Sequence, residues 1–95
     1  MSGEEPARTE LRRLARRWQQ LPAGQALAAS GALRDLAADL LDVDASELPD
    51  LGPATALDQV RVAVYEHLRD HPDAEVDLAE RLAGLRGSLT PPTHP

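Results

Sequence analysis

Residues 7–21, ARTELRRLARRWQQL, contain the pattern that decides the fold class. Apolar side chains recur there at steps of three or four residues, which places them on one face of a helix: Leu11, Leu14, Trp18 and Leu21. The arginines fall largely on the remaining faces. The stretch therefore predicts an amphipathic, basic first helix. Trp18 is its predicted core anchor, because the chain has no Phe or Ile to supply that bulk.

A second segment, from Ala23 to about Val43, also has helical periodicity. It begins just after Pro22, a residue suited to the first turn of a helix. Its apolar stripe consists of Leu33, Leu36, Leu40 and Leu41. Ser30 and Gly31 interrupt the segment. The sequence leaves open either one kinked helix or two helices, with Ser30 as the N-cap of the second.

A third helix is predicted after a loop at residues 44–54. It starts near Thr55, whose spacing from Asp58 approximates a capping box, and it ends at His71-Pro72 because the residue before proline leaves the helical region. Its core face consists of Leu57, Val60, Val64 and Leu68. Val62 lies outside that stripe, which indicates a helix enclosed on more than one side.

A fourth helix, capped by Asp73 or Asp77, completes the pattern. Its apolar face consists of Leu78, Leu82, Leu85 and Leu89. Sixteen Leu and sixteen Ala favour helices, and no strand-like alternation is present. The sequence therefore predicts an all-α fold. The architecture is a small four-helix bundle, or a five-helix bundle if the second segment divides.

The chain is long enough for one domain, which we place at residues 7–89. Residues 1–6 and 90–95 are polar and rich in proline, so both are predicted to be disordered tails. The longest stretch without charge, Gln19 to Leu33, is too short and polar to span a bilayer. The first residues lack the features of a secretory signal. A cytoplasmic location is the expectation.

The composition gives little support for an enzyme active site or a cofactor-binding site. There is no Cys, so thiolate nucleophiles and Cys-ligated metals are excluded. No serine has the Gly-x-Ser-x-Gly context, no glycine-rich loop is present, and no carboxylate lies in an apolar run that would raise its pKa. The sequence predicts neither an enzyme nor a cofactor.

Two candidate metal sites are weighed and set aside. His67 and His71 are four residues apart on a helix, but a histidine pair near a helix C-terminus is also favoured by the helix dipole alone. The acidic loop at residues 42–53 has Glu47 where a calcium loop has glycine, and Pro53 where it has glutamate. A structural histidine pair and a solvated acidic turn are the predictions.

Charge is distributed unevenly along the chain. Residues 1–34 have six Arg and three Glu, a net charge of +3, whereas residues 35–95 have four Arg and thirteen Asp or Glu, a net charge of −9. The basic cluster that follows from this is Arg12, Arg13, Arg16 and Arg17, and its acidic complement is Asp35, Asp39 and Asp42. Such a chain is typical of a helical protein–protein interaction module, either with a protein partner or as a homodimer.

Three interpretations of the four arginines remain open. They pair with acidic helices of the same bundle or of a second copy, they bind a partner protein, or they bind an anionic polymer or membrane. Nucleic acid is disfavoured by the net charge of −6 and by the lack of interleaved aromatic residues. No membrane partner is predicted.

Residues 33–57 resemble part of the acyl and peptidyl carrier proteins. The resemblance rests on LRDLAADLLDVDASEL at 33–48 and on DLG at 50–52. It implies a small acidic four-helix bundle in which an Asp-Ser-Leu motif after the glycine bears a phosphopantetheine arm. Here residues 53–57 are PATAL, so the Asp-Ser-Leu motif is absent. The resemblance then implies, as the alternative function, a carrier-like domain with a degenerate attachment site at Thr55.

Overall fold

A computed structural model describes residues 5–89, and within them the chain is all-α, as predicted. The helices are α1 (Pro6–Gln20), α2 (Ala23–Leu41), α3 (Pro53–Asp70) and α4 (Glu75–Ser88). Short 3-10 turns at Ala45–Glu47 and Pro72–Ala74 connect them, and no strand occurs in residues 5–89. The four-helix prediction is confirmed.

The predicted tails are only partly described. Residues 1–4 and 90–95 lie outside the described residues. Pro6, which we assigned to the first tail, opens α1, where its fixed φ and missing N–H suit the first helical turn.

The second helix is continuous, so the five-helix alternative is wrong. The Ser30 hydroxyl donates a 2.8 Å hydrogen bond to the carbonyl of Ala26, one turn back, and therefore does not cap a new helix. The helix ends at Leu41, where Asp42 adopts a left-handed conformation (φ 58°). The N–H of Val43 bonds to the carbonyl of Ala38 in the pattern typical of such helix ends.

The third helix begins two residues earlier than predicted. Gly52 has φ 105°, a value that favours glycine, and Pro53 starts the first turn. The predicted capping box is wrong because no side chain caps this helix, and Asp58 pairs with Arg61 instead. The predicted C-terminal end is confirmed, since α3 stops before His71.

The fourth helix also starts differently from the prediction. Neither Asp73 nor Asp77 caps it, because the chain enters α4 directly from a 3-10 turn through Ala74. Its first residue, Glu75, serves α1 instead: the carboxylate accepts a 2.8 Å hydrogen bond from the backbone N–H of Ala7. One of the otherwise unpaired donors at the start of α1 is thereby satisfied by another helix.

The helices pack as two pairs around one core. Helix α1 packs mainly along α4, and α2 mainly along α3. Trp18 is confirmed as a core anchor: it is 4% exposed, and its Nε1–H donates a 3.0 Å hydrogen bond to the carbonyl of Pro53 at the start of α3. The largest fully buried side chains are Leu14, Leu33, Leu78, Leu82, Val60 and Val64.

The prediction that α3 is enclosed on more than one side is wrong. Val62 is 54% exposed, and the helix buries a single stripe that includes Val60 and Val64. No helix in the described part of the chain has the length and apolar character required to cross a membrane.

Replacing Trp18 with Ala tests the core anchor. We expect Trp18→Ala to lower the free energy of unfolding by about 3–5 kcal/mol, because it leaves a cavity and removes the bond to Pro53. Trp18→Phe retains a ring and loses only the donor, so a smaller loss is expected. Urea unfolding followed by circular dichroism measures both. A wild-type midpoint for Trp18→Ala would contradict the assignment.

Replacing Gly31 with Ala tests the continuity of α2. A β-carbon at Gly31 meets no atom within 4 Å, so Gly31→Ala should raise the free energy of unfolding by roughly 0.5–1 kcal/mol through the higher helix propensity of alanine. Gly52→Ala is the matched control. Open space also surrounds Gly52, but its φ of 105° strains alanine, so stability should fall. Thermal unfolding of both variants checks this, and destabilisation by Gly31→Ala would contradict a continuous helix.

Candidate functional site

The arginines of α1 divide between two sides of the helix. Arg12 and Arg16 face α3, where they line a groove between the two helices. Arg13 instead pairs with Glu10 at 2.9 Å, and Glu10 also accepts a 3.2 Å hydrogen bond from Arg86 of α4. The spacing of one helical turn places Arg17 on the same side as Arg13. The four predicted arginines therefore do not form one surface.

The groove between α1 and α3, here called the basic groove, is lined by four arginines. Its volume is about 460 Å³. The α1 residues that line it are Arg8, Leu11, Arg12, Ala15, Arg16 and Gln19, and α3 contributes Arg61 and Tyr65. Four guanidinium groups thus surround one groove whose floor, at Leu11 and Ala15, is apolar and buried.

Two of the four guanidinium groups have a carboxylate partner and two do not. Arg8 pairs with Glu5 at 2.8 Å, and Arg61 pairs with Asp58 at 3.3 Å. Arg12 contacts only the Thr9 hydroxyl at 3.5 Å, and neither it nor Arg16 forms an ion pair with the described residues. Both are exposed.

This pairing bears on the first of the three interpretations of the cluster. Within residues 5–89, no arginine of α1 forms an ion pair with another helix of the bundle. Pairing with acidic helices of the same chain is therefore wrong as the explanation of these arginines. A second copy, a partner protein, and an anionic polymer or membrane remain.

Tyr65 lines both the basic groove and a neighbouring hollow. Its side chain is 52% exposed, and the guanidinium carbon of Arg8 lies 5.2 Å from the ring centre, in the geometry of a cation–π contact. Both residues also line a neighbouring hollow with Glu5, Arg69 and Glu75. The Arg8–Tyr65 contact thus separates a basic end of the groove from an end of mixed charge.

Arg8, Arg61 and Tyr65 were not predicted as members of this surface. The four-residue steps from Arg8 to Arg12 to Arg16 put the three on one stripe of a helix, and that signal was present in the sequence. The part played by Arg61 and Tyr65 could not be inferred, because periodicity does not indicate which helix lies beside α1.

The predicted acidic complement, Asp35, Asp39 and Asp42, forms an exposed line at the C-terminal half of α2, here called the acidic ridge. Asp39 pairs with Arg81 of α4 at 2.7 Å. Asp35 forms no ion pair with the described residues, and Asp42 occupies the left-handed position that ends the helix. Asp35 and Asp39 therefore lie one turn apart on an exposed face of α2, and Asp42 lies just beyond its end.

A hollow of about 580 Å³ lies beside the acidic ridge, between α2 and α4. Its apolar lining residues are Ala32, Leu36, Gly84 and Leu85. A β-carbon placed at Gly84 would meet no atom within 4 Å. The ridge is thus bordered by unfilled apolar space.

The histidine pair and the acidic loop both make contacts within the chain. The rings of His67 and His71 lie 4.8 Å apart, and Nδ1 of His67 lies 3.3 Å from the carbonyl oxygen of Leu40, where it donates when protonated. In the loop, the backbone N–H and hydroxyl of Ser46 donate to the Asp44 carboxylate and lower its pKa. No three metal-ligating side chains of the described residues come together.

Thr55 lies in the first turn of α3, where it is half-buried beside the buried Ala56. The basic groove and the acidic ridge do not include it. The carrier-like role of Thr55 stays a prediction from the resemblance.

Comparison of the chain with protein-family models, with curated proteins and with solved structures found no significant match. The functional argument therefore rests on the charges and shapes of the two surfaces.

Asp42 lies at the negative end of the α2 dipole, which its own charge opposes. Asp42→Asn keeps a side chain that tolerates the left-handed conformation and removes that charge, so the free energy of unfolding should rise by about 0.3–1 kcal/mol. Asp35→Asn, in the interior of the same helix, is the control and should change stability less. Chemical unfolding near neutral pH measures both. A loss of stability in Asp42→Asn would show that its carboxylate has another role.

Proposed function

We propose that this chain is a non-enzymatic protein–protein interaction module whose basic groove binds an acidic helical segment of a partner. One observation carries the proposal. Arg12 and Arg16 are exposed, have no ion pair with the described residues, and share a groove with Arg61 and Tyr65. Exposed guanidinium groups without an ion pair are available to bind carboxylates, and the helix fixes the spacing of their α-carbons before binding.

The chemistry of the groove supports binding and not catalysis. Its polar side chains are arginine, glutamine and tyrosine. Arginine stays protonated in proteins and does not act as a general base, and glutamine has no titratable proton. The lining therefore provides hydrogen-bond donors and positive charge for an anion.

The spacing of the arginines supports a helical ligand. Arg8, Arg12 and Arg16 follow one another at four-residue intervals, which on an α-helix gives steps of about 6 Å. Carboxylates four residues apart on a facing helix have the same spacing. A helix that carries such carboxylates can place one beside each guanidinium group.

The overall charge supports a short acidic helix over a long polyanion. The chain has a net charge of −6, which repels nucleic acid or an anionic membrane along its whole length. A single helix presents only a few carboxylates to the basic groove. It therefore brings little other negative charge near the acidic ridge of the chain.

The energy of such an interface does not come chiefly from its ion pairs. Exposed pairs contribute about 0–1 kcal/mol each. Burial of the Tyr65 ring and of the aliphatic stems of the arginines adds apolar contact, and Tyr and Arg are the residue types that dominate interface energetics. The charges set the register of the partner and its rate of association.

Binding of a labelled acidic peptide tests the proposal. The probe is a helical peptide with glutamates at four-residue intervals, and the comparison peptide has the same composition in scrambled order. Fluorescence anisotropy should show tighter binding of the regular peptide by the wild-type chain, and binding should weaken as salt screens the charges.

Charge reversal locates the binding surface. The double variant Arg12→Glu/Arg16→Glu should abolish peptide binding, because the two introduced carboxylates repel those of the peptide. The matched control Arg13→Glu/Arg17→Glu makes the same change in net charge on the α4 side of the helix and should retain most of the affinity. Equal loss in both variants, or binding that is indifferent to salt and to glutamate spacing, would contradict the proposal.

A further inference from the structure

We infer that the occupant of the basic groove is a second copy of this chain, which contributes its acidic ridge. The inference rests on the proposed function, because it names the partner of the same groove. It follows from the presence, on one chain, of both an acidic helix face and a groove suited to one.

The two surfaces match in length. The acidic ridge spans Asp35 to Asp42, seven residues or about 10 Å of helix. The arginines of the groove span Arg8 to Arg16, eight residues or about 12 Å. When the ridge of one copy lies along α1 of another, Asp35 and Asp39, four residues apart, can lie beside Arg12 and Arg16, which have the same interval.

The unpaired charges also match. Arg12 and Arg16 have no ion pair with the described residues, and Asp35 has none either. Contact between copies places a group of opposite charge beside each of these exposed side chains. Asp39 keeps its bond to Arg81 and adds a second cation, which a carboxylate with two oxygens can accept.

Apolar shape adds a second element of fit. Tyr65 projects half-exposed from α3 at the groove, and the hollow beside the ridge is lined by Ala32, Gly84 and Leu85. Insertion of an aromatic side chain into a partly apolar hollow is the kind of contact that dominates interface energetics. The two docking surfaces thus combine charge pairs with a ring that fills a space.

Each copy can use both surfaces at once. The basic groove lies between α1 and α3 and the hollow beside the ridge lies between α2 and α4, and the two linings share no residue. A copy whose groove is occupied therefore still presents its own ridge. The contact is head-to-tail, in which different surfaces of the two copies meet.

The net charge of −6 opposes any association between copies and determines the conditions of the test. At very low salt the long-range repulsion between two acidic molecules is strongest. At about 0.15 M salt the screening length is near 8 Å, so distant charges are screened while pairs in contact remain. The measurements are therefore made with the full chain at that ionic strength.

The first measurement is sedimentation equilibrium of the wild-type chain from roughly ten micromolar to one millimolar, the range in which weak association becomes visible. The average mass should rise above the 10.2 kDa of a single chain as concentration increases. A constant mass of 10.2 kDa throughout would overturn the inference.

The decisive measurement uses two variants with complementary reversals. Arg12→Glu/Arg16→Glu reverses the two groove charges that have no ion pair with the described residues, and Asp35→Arg/Asp39→Arg reverses two charges of the ridge. Each variant alone should remain at 10.2 kDa, because the charges that meet at the contact then have the same sign. An equimolar mixture should regain the wild-type rise in mass, because the groove of each variant is again opposite in sign to the ridge of the other.

Matched controls separate local charge from net charge. Arg13→Glu/Arg17→Glu and Asp73→Arg/Asp77→Arg change the net charge by the same amounts at positions away from the two docking surfaces, and both should associate like the wild type. Circular dichroism confirms that every variant is folded. Equal loss of association in the controls, or a mixture that stays monomeric, would overturn the inference.

The outcomes distinguish this inference from the proposed function. If the wild type stays monomeric while the regular acidic peptide still binds the groove, self-docking is overturned and the interaction module stands. If the peptide fails to bind as well, both are overturned.

Discussion

The hydrogen bond from the Trp18 indole to the carbonyl of Pro53 is the contact on which the arrangement of the helices most depends. The helices pack as two pairs, α1 with α4 and α2 with α3, and direct packing between α1 and α3 is limited. Trp18 lies near the end of α1 and Pro53 at the start of α3, so this one side chain ties the two pairs together. Its burial also sets the distance between the helices that form the walls of the basic groove.

The groove exists because α1 and α3 meet without filling the space between them. Toward the core, α1 buries small and medium side chains such as Ala7, Leu11 and Ala15, and its flanks carry long arginines. Long charged side chains keep their heads in water, so they line a gap more easily than they close it. The Arg8–Tyr65 contact bridges the gap at one point and leaves the guanidinium groups of Arg12 and Arg16 free of ion pairs with the described residues.

Much of the fold followed from the apolar periodicity of the sequence. The four helices, the buried leucines and the role of Trp18 were predictable because a three- and four-residue repeat directly specifies one helix face. Helix boundaries were predicted less well. The start of α3 depends on the positive φ of Gly52, and a capping motif at Thr55 appeared convincing only because that conformation is not visible in the sequence. The prediction from Val62 that α3 is enclosed was wrong for a related reason, since β-branched residues occur on exposed helix faces as well as in cores.

The candidate site was only half predictable. Periodicity identified basic and acidic residues on helix faces, but it did not indicate that Arg12 lies beside α3 and Arg13 on the side of α4, because that depends on how the helices pack. The same limit concealed Arg61, which lines the groove from α3 and lies forty-five residues after Arg16 in the chain. Which helices are neighbours is a property of tertiary packing, and one sequence does not state it.

The pairing of α1 with α4 also has a consequence for the order in which the chain folds. Helices α2 and α3 are consecutive and can pack as soon as both are made, whereas α1 is synthesised first and its main partner last. During synthesis the apolar face of α1, including Trp18, therefore has no α4 to cover it. Contacts between distant parts of a chain slow folding, and surface left uncovered in the interval favours aggregation. The arginines on the outer faces of α1 keep those faces polar during this interval, which is separate from any role in the folded protein.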